Sequence, residues 1–276
     1  MTEKKYGIIG KPLSHSLSPL LHNSWFKKYN IKANYSLINT EINQIESVIN
    51  KIKKKELHGI NVTTPYKQAV IPYLDLIIND AKETSSVNTI YLNADNKIVG
   101  ENTDVYGFDS SFIKKLKDED LLEKSFLILG AGGVTQSIIY ALVKKNIKKI
   151  FISNRTLEKA KNVKKKFPFI KIIFWEDVDS ITQDMDIIIN TTSIGMKKAG
   201  NFDRVIKKFK SGLVYYDIIY NPLETIMLKN LKKGKIKTFN GLEMFLYQGQ
   251  KSFYIWNKVN PVIDTQLKKM ITTNLK

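Results

Sequence analysis

The chain has 276 residues, 43% hydrophobic and 11% aromatic, which is enough apolar material for the cores of two globular domains and excludes a disordered chain. It has no cysteine, which excludes disulfides and thiolate metal sites, and no apolar run close to the ~18 residues of a membrane span. The amino-terminal residues lack the apolar stretch of a signal peptide, so we expect a cytoplasmic protein.

The formal net charge of +18 raises the alternative of a polyanion-binding protein. All but two of the 44 basic residues are lysines, however, and only Arg155 and Arg204 are arginines. Nucleic-acid readers use the arginine fork for bidentate contacts to bases and phosphates. The lysines are spread along the whole chain in short clusters, which favours solvated helix surfaces over a nucleic-acid site.

Strands and helices alternate through the first hundred residues, which predicts an α/β fold with a mainly parallel sheet. The predicted strands lie at residues 6–10, 33–38, 57–62, 86–92 and 97–100, and the predicted helices at 18–29, 41–53 and 105–116. A loop dense in hydroxyls, which includes Ser14 and Ser16, follows the first strand. These serines could be turn formers or ligands for a hydroxylated or carboxylated molecule.

The strand at 57–62 breaks at a Thr-Thr-Pro sequence, where Pro65 is suited to the first turn of a helix. Asn61, Thr63 and Lys67 therefore lie at or just beyond the carboxyl end of a strand, where open α/β sheets place their ligand chemistry. Asp104 lies next to the amino terminus of the helix predicted at 105–116, a position that also suits a purely structural carboxylate because of the helix dipole.

A second α/β unit begins with the apolar strand 126–129, followed directly by Gly130-Ala131-Gly132-Gly133 and a helix. Glycines at such a turn let the backbone approach a pyrophosphate at a helix amino terminus. The match to the dinucleotide fingerprint is imperfect, because Thr135 stands where a third glycine is expected. Further strands are predicted at 150–153, 170–174, 185–189, 213–217 and 236–239, followed by a long helix from Gly241 and a last helix at 262–270.

The residues that follow the strand at 150–153 indicate which dinucleotide the chain binds. NAD-binding folds usually place an acidic residue there to hold the ribose 2′-hydroxyl. This chain has Asn154-Arg155-Thr156, with Lys159 one turn later. A guanidinium group suits a 2′-phosphate, so the sequence predicts NADP(H); the alternative is a surface arginine without a ligand.

These segments together resemble the shikimate dehydrogenase family over essentially the whole chain. The resemblance is carried by the motifs at residues 10–19, His22-Asn23, 61–67, 87–89, 102–104, 130–133, 154–156, 190–193, Asp217 with 220–222, and Gly241 with Gln248. It implies two α/β domains with a cleft between them. Residues 1–104 and 242–276 would bind the substrate, and residues 105–241 would form a Rossmann-type NADP domain.

The reaction implied by the resemblance is the reversible, NADPH-dependent reduction of 3-dehydroshikimate to shikimate, in the route to chorismate and the aromatic amino acids. Lys67 would exchange the proton and Asp104 would pair with it and hold the reacting hydroxyl. The other substrate contacts implied by the resemblance are Ser14, Ser16, Thr63, Asn88, Tyr220 and Gln248. The implied cofactor contacts are Gly130, Ala131, Gly132, Gly133, Val134, Asn154, Arg155, Thr156, Lys159, Ile218 and Gly241. No metal site is implied.

The chain departs from the family pattern beside the site, with Ser85-Ser86 in place of the usual Gly-Ala and Phe245 in place of the usual Leu. Two other readings stay open: a quinate/shikimate relative that uses NAD or both cofactors, and a non-catalytic sensor of shikimate-like ligands. The expected partners are the small-molecule substrate and cofactor, without nucleic acid or membrane. The sequence leaves the oligomeric state open, with a homodimer as one possibility.

Overall fold

The computed structural model describes residues 2–116, 121–196 and 208–275. Its strands are β1 Lys4–Ile9, β2 Ala33–Leu37, β3 Gly59–Val62, β4 Leu76–Ile77, β5 Thr89–Leu92, β6 Ile98–Glu101, β7 Phe126–Leu129, β8 Ile150–Ser153, β9 Lys171–Ile172, β10 Ile187–Asn190, β11 Val214–Asp217 and β12 Lys237–Phe239. Its α-helices are α1 Ser18–Lys28, α2 Ile45–Lys53, α3 Asp80–Thr84, α4 Asp104–Ser111, α5 Thr135–Val143, α6 Leu157–Lys166, α7 Val178–Ile181, α8 Ile226–Lys233, α9 Leu242–Asn257 and α10 Thr265–Thr273. Two compact units result, Met1–Gly107 with Leu246–Asn274, and Phe108–Phe245.

The first unit contains a six-stranded sheet in the order β2-β1-β3-β5-β6-β4. Strand β1 pairs in parallel with β2 and β3, and β4 pairs in parallel with β6. Strand β5 runs antiparallel to both of its neighbours, β3 and β6. The predicted mainly parallel sheet is confirmed, and the one reversed strand proves central to the site.

Helix α2 shows how the apolar pattern builds the core of this unit. Ile45, Val48, Ile49 and Ile52 are all buried, and their spacing places them on one face of the helix. That face packs against a core cluster that includes Ile60 on β3. Burial of each such side chain contributes about 1.5–3 kcal/mol relative to its exposure to water.

The second unit contains a six-stranded sheet in the order β12-β11-β10-β7-β8-β9. Every pairing in it is parallel. This order, with the chain starting in the middle and building outward on both sides, is that of the dinucleotide-binding fold. All four residues of β7 are buried, as expected for a parallel strand covered on both faces. The predicted Rossmann-type arrangement is confirmed.

The prediction of a helix starting at Pro65 is wrong. Residues 64–70 form consecutive turns that lead into a short 3-10 helix at Ile71–Tyr73. The carbonyl of Lys67 accepts a hydrogen bond from the N–H of Val87 at 2.9 Å, so it is engaged outside this segment. The N–H of Ile71 bonds instead to the carbonyl of Gln68 at 3.1 Å, one residue short of the α-helical pattern.

Within the described ranges, none of the helices combines the length and the apolar character needed to cross a membrane.

Candidate functional site

The reversed strand β5 brings distant polar residues to one edge of the first sheet. The N–H of Val62 at the end of β3 donates to the carbonyl of Asn88 at 2.9 Å, and the N–H of Asn88 donates to the carbonyl of Glu101 at 3.0 Å. Because β5 is antiparallel to β3 and β6, its amino end lies beside their carboxyl ends. The segments 63–67, 88–89 and 102–104 therefore meet at this edge.

Lys67 and Asp104 form a buried ion pair there. The Nζ of Lys67 lies 2.6 Å from Oδ2 of Asp104, and their side chains are only 11% and 7% exposed. Asp104 is the first residue of α4, where a negative charge is favourable, and its N–H donates to Oδ1 of Asn102 at 2.9 Å. A charge-assisted hydrogen bond shielded from water is stronger than its exposed counterpart.

The side-chain amide of Asn88 fixes the other oxygen of Asp104. Oδ1 of Asn88 accepts from the N–H and the hydroxyl of Thr103, at 2.8 and 3.1 Å, and from the hydroxyl of Thr89 at 3.1 Å. Only the orientation with the amide NH₂ toward Asp104 satisfies these donors, and Nδ2 lies 2.9 Å from Oδ1 of Asp104. Each oxygen of Asp104 thus has its own donor.

A second layer of polar side chains supports this arrangement. Nδ2 of Asn61 donates to the carbonyl of Asn88 at 3.0 Å and to Oγ of Ser252 on α9 at 3.0 Å. The hydroxyl of Tyr35 donates to Oδ1 of Asn61 at 2.8 Å. Sequence reasoning did not identify Tyr35, Thr89, Thr103 or Ser252 as site residues. Thr89 and Thr103 stand beside predicted site residues in the quoted motifs, which is the one signal that pointed to them.

Four more predicted substrate residues lie in the first unit. Ser14 is exposed in the loop after β1, and Oγ of the half-buried Ser16 accepts the N–H of Ser18 at 3.3 Å. Thr63 directly follows β3, and Gln248 is carried by α9. Tyr220 belongs instead to the second unit, where its ring stacks on Phe245 with a centroid distance of 4.5 Å.

The glycine turn of the second unit is shaped to receive a ligand. Gly130 has a φ of +113°, and a Cβ there would come within 2.5 Å of Oγ1 of Thr191. A Cβ at Gly132 would instead point into open space, with no atom of the described residues within 4 Å. Ala131, Gly133 and Val134 lie in the same turn, which ends at the amino terminus of α5. A close backbone approach at a helix amino terminus is what a pyrophosphate requires.

Thr135 replaces the third glycine without disrupting this turn. Its side chain is fully buried, and its hydroxyl accepts the N–H of Gly132 at 3.1 Å and lies 2.8 Å from the hydroxyl of Thr191. At the position where the sequence departs from the fingerprint, Thr135 therefore connects the glycine turn to the segment after β10 by hydrogen bonds.

The predicted 2′-phosphate residues cluster at the end of β8. Oδ1 of Asn154 accepts the N–H of Ala131 at 3.1 Å, which joins this segment to the glycine turn. Arg155, Thr156 and Lys159 are exposed around the first turn of α6. Two cations and a helix amino terminus suit a phosphate group, so these residues fit the NADP(H) prediction.

Ile218 and Gly241, also predicted to contact the cofactor, lie against each other. A Cβ at Gly241 would overlap the backbone carbonyl of Ile218, so only glycine fits there. The N–H of Gly241 donates to the carbonyl of Ile219 at 2.9 Å. In the described part of the chain, no group of three or more His, Asp or Glu side chains is arranged to hold a metal.

Two protein-family models match the chain. The model described as the shikimate dehydrogenase substrate binding domain matches residues 8–90. The model described as shikimate / quinate 5-dehydrogenase matches residues 112–222.

Curated relatives match along nearly the full length. The shikimate dehydrogenase (NADP(+)) of Pelagibacter ubique is 47% identical over 264 residues, which cover 96% of this chain and 97% of the relative. The enzyme of the same name from Bacillus subtilis is 38% identical and covers 95% and 94% of the two chains.

Solved structures of shikimate dehydrogenases also match this chain along nearly its full length. The crystal structure of a shikimate dehydrogenase in complex with NADP⁺ superposes with a TM-score of 0.88 at 35% identity, covering 99% of this chain and 96% of that one. The shikimate dehydrogenase of Aquifex aeolicus superposes with a TM-score of 0.86 at 37% identity, covering 98% and 97% of the two chains.

Proposed function

This chain belongs to the shikimate dehydrogenase family, and on that premise we propose that it catalyses the reversible, NADPH-dependent reduction of 3-dehydroshikimate to shikimate. The observation that carries the proposal is the buried ion pair between Lys67 and Asp104, with Asn88 holding the second oxygen of the carboxylate. A binding protein has no need of a water-shielded proton donor held in one geometry, so the pair favours an enzyme over a sensor.

Lys67 is the proposed proton donor. When a carbonyl is reduced, negative charge develops on its oxygen, and a positioned acid lowers the barrier by neutralising it. The ammonium group of Lys67 is the buried cation of this site, and in the oxidative direction the neutral amine would accept the proton from the substrate hydroxyl. Asp104, which lies 2.6 Å from Lys67, would orient the ammonium group and accept a hydrogen bond from the reacting hydroxyl.

The remaining polar groups are proposed substrate ligands. Ser14 and Ser16 offer hydroxyls for the carboxylate of shikimate, with help from Tyr220, while Thr63 and Gln248 meet ring hydroxyls. Asn88 has a double role in this proposal, as a ligand of the ring and as the group that orients Asp104.

The cofactor supplies a hydride. Its pyrophosphate would lie on the turn of residues 130–134, and its 2′-phosphate on Asn154, Arg155, Thr156 and Lys159. Ile218 and Gly241 would hold the nicotinamide end. Residues 105–241 form the NADP domain of this proposal, and residues 1–104 with 242–276 form the substrate domain. We propose that the enzyme works in the cytoplasm. Sedimentation of the purified protein would distinguish a homodimer from a monomer.

The experiment is a 340 nm assay of the purified chain with shikimate or quinate, each with NADP⁺ or NAD⁺. Reduction of NADP⁺ with shikimate alone is the expected result. Activity with quinate and NAD⁺ would instead assign the chain to a quinate-oxidising relative, and folded protein that is silent in all four combinations would contradict the proposal.

The role of Lys67 is tested separately by Lys67→Ala. Turnover should fall by several orders of magnitude, since the variant loses both the proton donor and the positive charge that stabilises the developing negative charge on the carbonyl oxygen. Shikimate binding, measured by calorimetry, should be largely kept. Lys97→Ala, at an exposed lysine of the same unit, is the matched control and should leave turnover unchanged. Near-normal turnover in Lys67→Ala would mean that another group donates the proton.

A further inference from the structure

We propose that Asp217 is a positioning residue for the nicotinamide half of the dinucleotide, because its carboxylate ties the end of β10 to the loop after β11 and to the start of α8. The inference rests on the proposed function in one respect only: it assumes that the second unit binds NADP(H).

The contacts of Asp217 come from three different segments. Oδ1 accepts from Nδ2 of Asn190, the last residue of β10, at 3.1 Å, and from the N–H of Ile219 at 3.0 Å. Oδ2 accepts from the hydroxyl of Thr225 at 2.9 Å. Thr225 in turn caps α8 by accepting the N–H of Leu228 at 3.3 Å. One carboxylate therefore joins the end of β10, the loop after β11 and the start of α8.

This carboxylate is fully buried, so its removal from water costs free energy that its hydrogen bonds offset. Burial raises the pKa of Asp217 to about 6, against the effect of the hydrogen bonds from Ile219, Thr225 and Asn190, which lower it. At neutral pH the group is thus largely a carboxylate, the form that accepts all three hydrogen bonds.

The position of Asp217 in the sheet connects it with one half of the ligand. In this strand order the half around β7, β8 and β9 carries the glycine turn and Arg155, which suit the adenosine phosphates. The half around β10, β11 and β12 is left for the second mononucleotide, the one with the nicotinamide.

Ile218 and Gly241 depend on Asp217 within this second half. Ile218 is the next residue in the chain, and its carbonyl lies so close to Gly241 that a Cβ there would overlap it. The carbonyl of Ile219 accepts the N–H of Gly241. Any shift of the backbone at 217–219 therefore displaces both residues, whereas the glycine turn is also held by the side chains of Asn154 and Thr135, which do not contact Asp217.

The test compares Asp217→Ala with Asp217→Asn. An asparagine can accept from Asn190 and Ile219 through its one oxygen, since both contact Oδ1, and can donate to the hydroxyl of Thr225. Calorimetry would give the Kd of NADPH and of 2′,5′-ADP, which contains only the adenosine half. In Asp217→Ala we expect NADPH to bind about 10–100-fold more weakly, the size of effect typical when the outer-shell partner of a ligand-contacting residue is removed, with 2′,5′-ADP unchanged. Asp217→Asn should bind NADPH nearly as tightly as the wild type does.

Two further variants keep the test decisive. Asp186→Ala removes another aspartate of the same unit, just before β10 at the opposite end of the sheet, and should change neither affinity. If Asp217→Ala does not fold, Thr225→Val removes one donor without changing the shape of the side chain and should weaken NADPH alone. Equal losses of both ligands, or no loss of NADPH, would overturn the inference. If the protein binds NADPH but does not oxidise shikimate, the proposed function is contradicted. The comparison of the affinities for NADPH and 2′,5′-ADP would still test the role of Asp217.

Discussion

We predict that His22 makes the stability of the first unit depend on pH, and that His22→Phe removes this dependence. The ring of His22 is fully buried on α1, stacks on Tyr35 with a centroid distance of 4.4 Å, and meets Trp25 edge-on at 5.6 Å. Among the described residues, neither of its ring nitrogens has a hydrogen-bond partner. Burial lowers the pKa of His22 to about 3, so the folded protein keeps it neutral.

The sign follows from proton binding. An unfolded chain binds a proton at this histidine below pH ~6.5, while the folded chain does not. The stabilising effect of the neutral ring is therefore complete above that pH and is lost progressively as the pH falls from ~6.5 toward 3. At pH 5 the loss amounts to about 2 kcal/mol, from ~1.36 kcal/mol per pH unit.

The assay is thermal unfolding of the wild type and of His22→Phe at about pH 7.5 and pH 5, followed by far-UV circular dichroism. Phenylalanine keeps an aromatic ring in the stack but cannot bind a proton. Between the two pH values, the wild type should lose roughly 4–8 °C in Tm relative to the variant. The pKa of Asp217 is shifted in the opposite direction, but Asp217 is present in both proteins, so its effect cancels in the comparison.

His58→Gln is the control, because His58 is only partly buried and accepts a hydrogen bond from the N–H of Lys5. The change in Tm between the two pH values should be nearly the same for His58→Gln as for the wild type. A Tm difference between wild type and His22→Phe that is the same at both pH values would refute the reasoning, since it would show that His22 gains its proton in the folded state as readily as in the unfolded chain.

Three other predictions concern the cofactor site and the backbone. Arg155→Ala should weaken the binding of NADPH by about 10–100-fold, which corresponds to the loss of a hydrogen bond to a charged group, and should leave the binding of NADH nearly unchanged. Equal losses of affinity for the two cofactors in a fluorescence titration would contradict the assignment of Arg155 to the 2′-phosphate. Ser85 has a φ of +47°, a left-handed conformation that glycine adopts without strain, so Ser85→Gly should raise the free energy of unfolding by about 0.5–1 kcal/mol in urea melts. Ser85→Ala keeps the strained backbone and should give no such gain. Gly241→Ala forces a Cβ into the carbonyl of Ile218, so it should cost about 1–3 kcal/mol of stability and weaken NADPH; unchanged melting would mean that the backbone yields freely there.

Local patterns in the sequence were enough to predict much of the fold. Strand β7 is an apolar run followed by glycines, and both features were found where they were predicted. The motifs were specific enough to identify the family, which the relatives confirm. The segment after Pro65 shows the limit of local rules, because the hydrogen bond from Val87 to Lys67 competes with helix formation there and comes from a residue 20 positions away.

The sequence by itself determined which elements form and which chemical groups are available, since helix and strand patterns and turn residues depend on neighbours a few positions apart. Only the tertiary structure decided how those groups are held. The orientation of Asn88 depends on hydroxyls of Thr89 and Thr103 and on a reversed strand. The tether at Thr135 and the burial of Asp217 depend on segments tens of residues distant or on another strand of the sheet. Hydrogen bonds between distant segments leave no periodic trace in a sequence, because either partner alone looks like an ordinary polar residue.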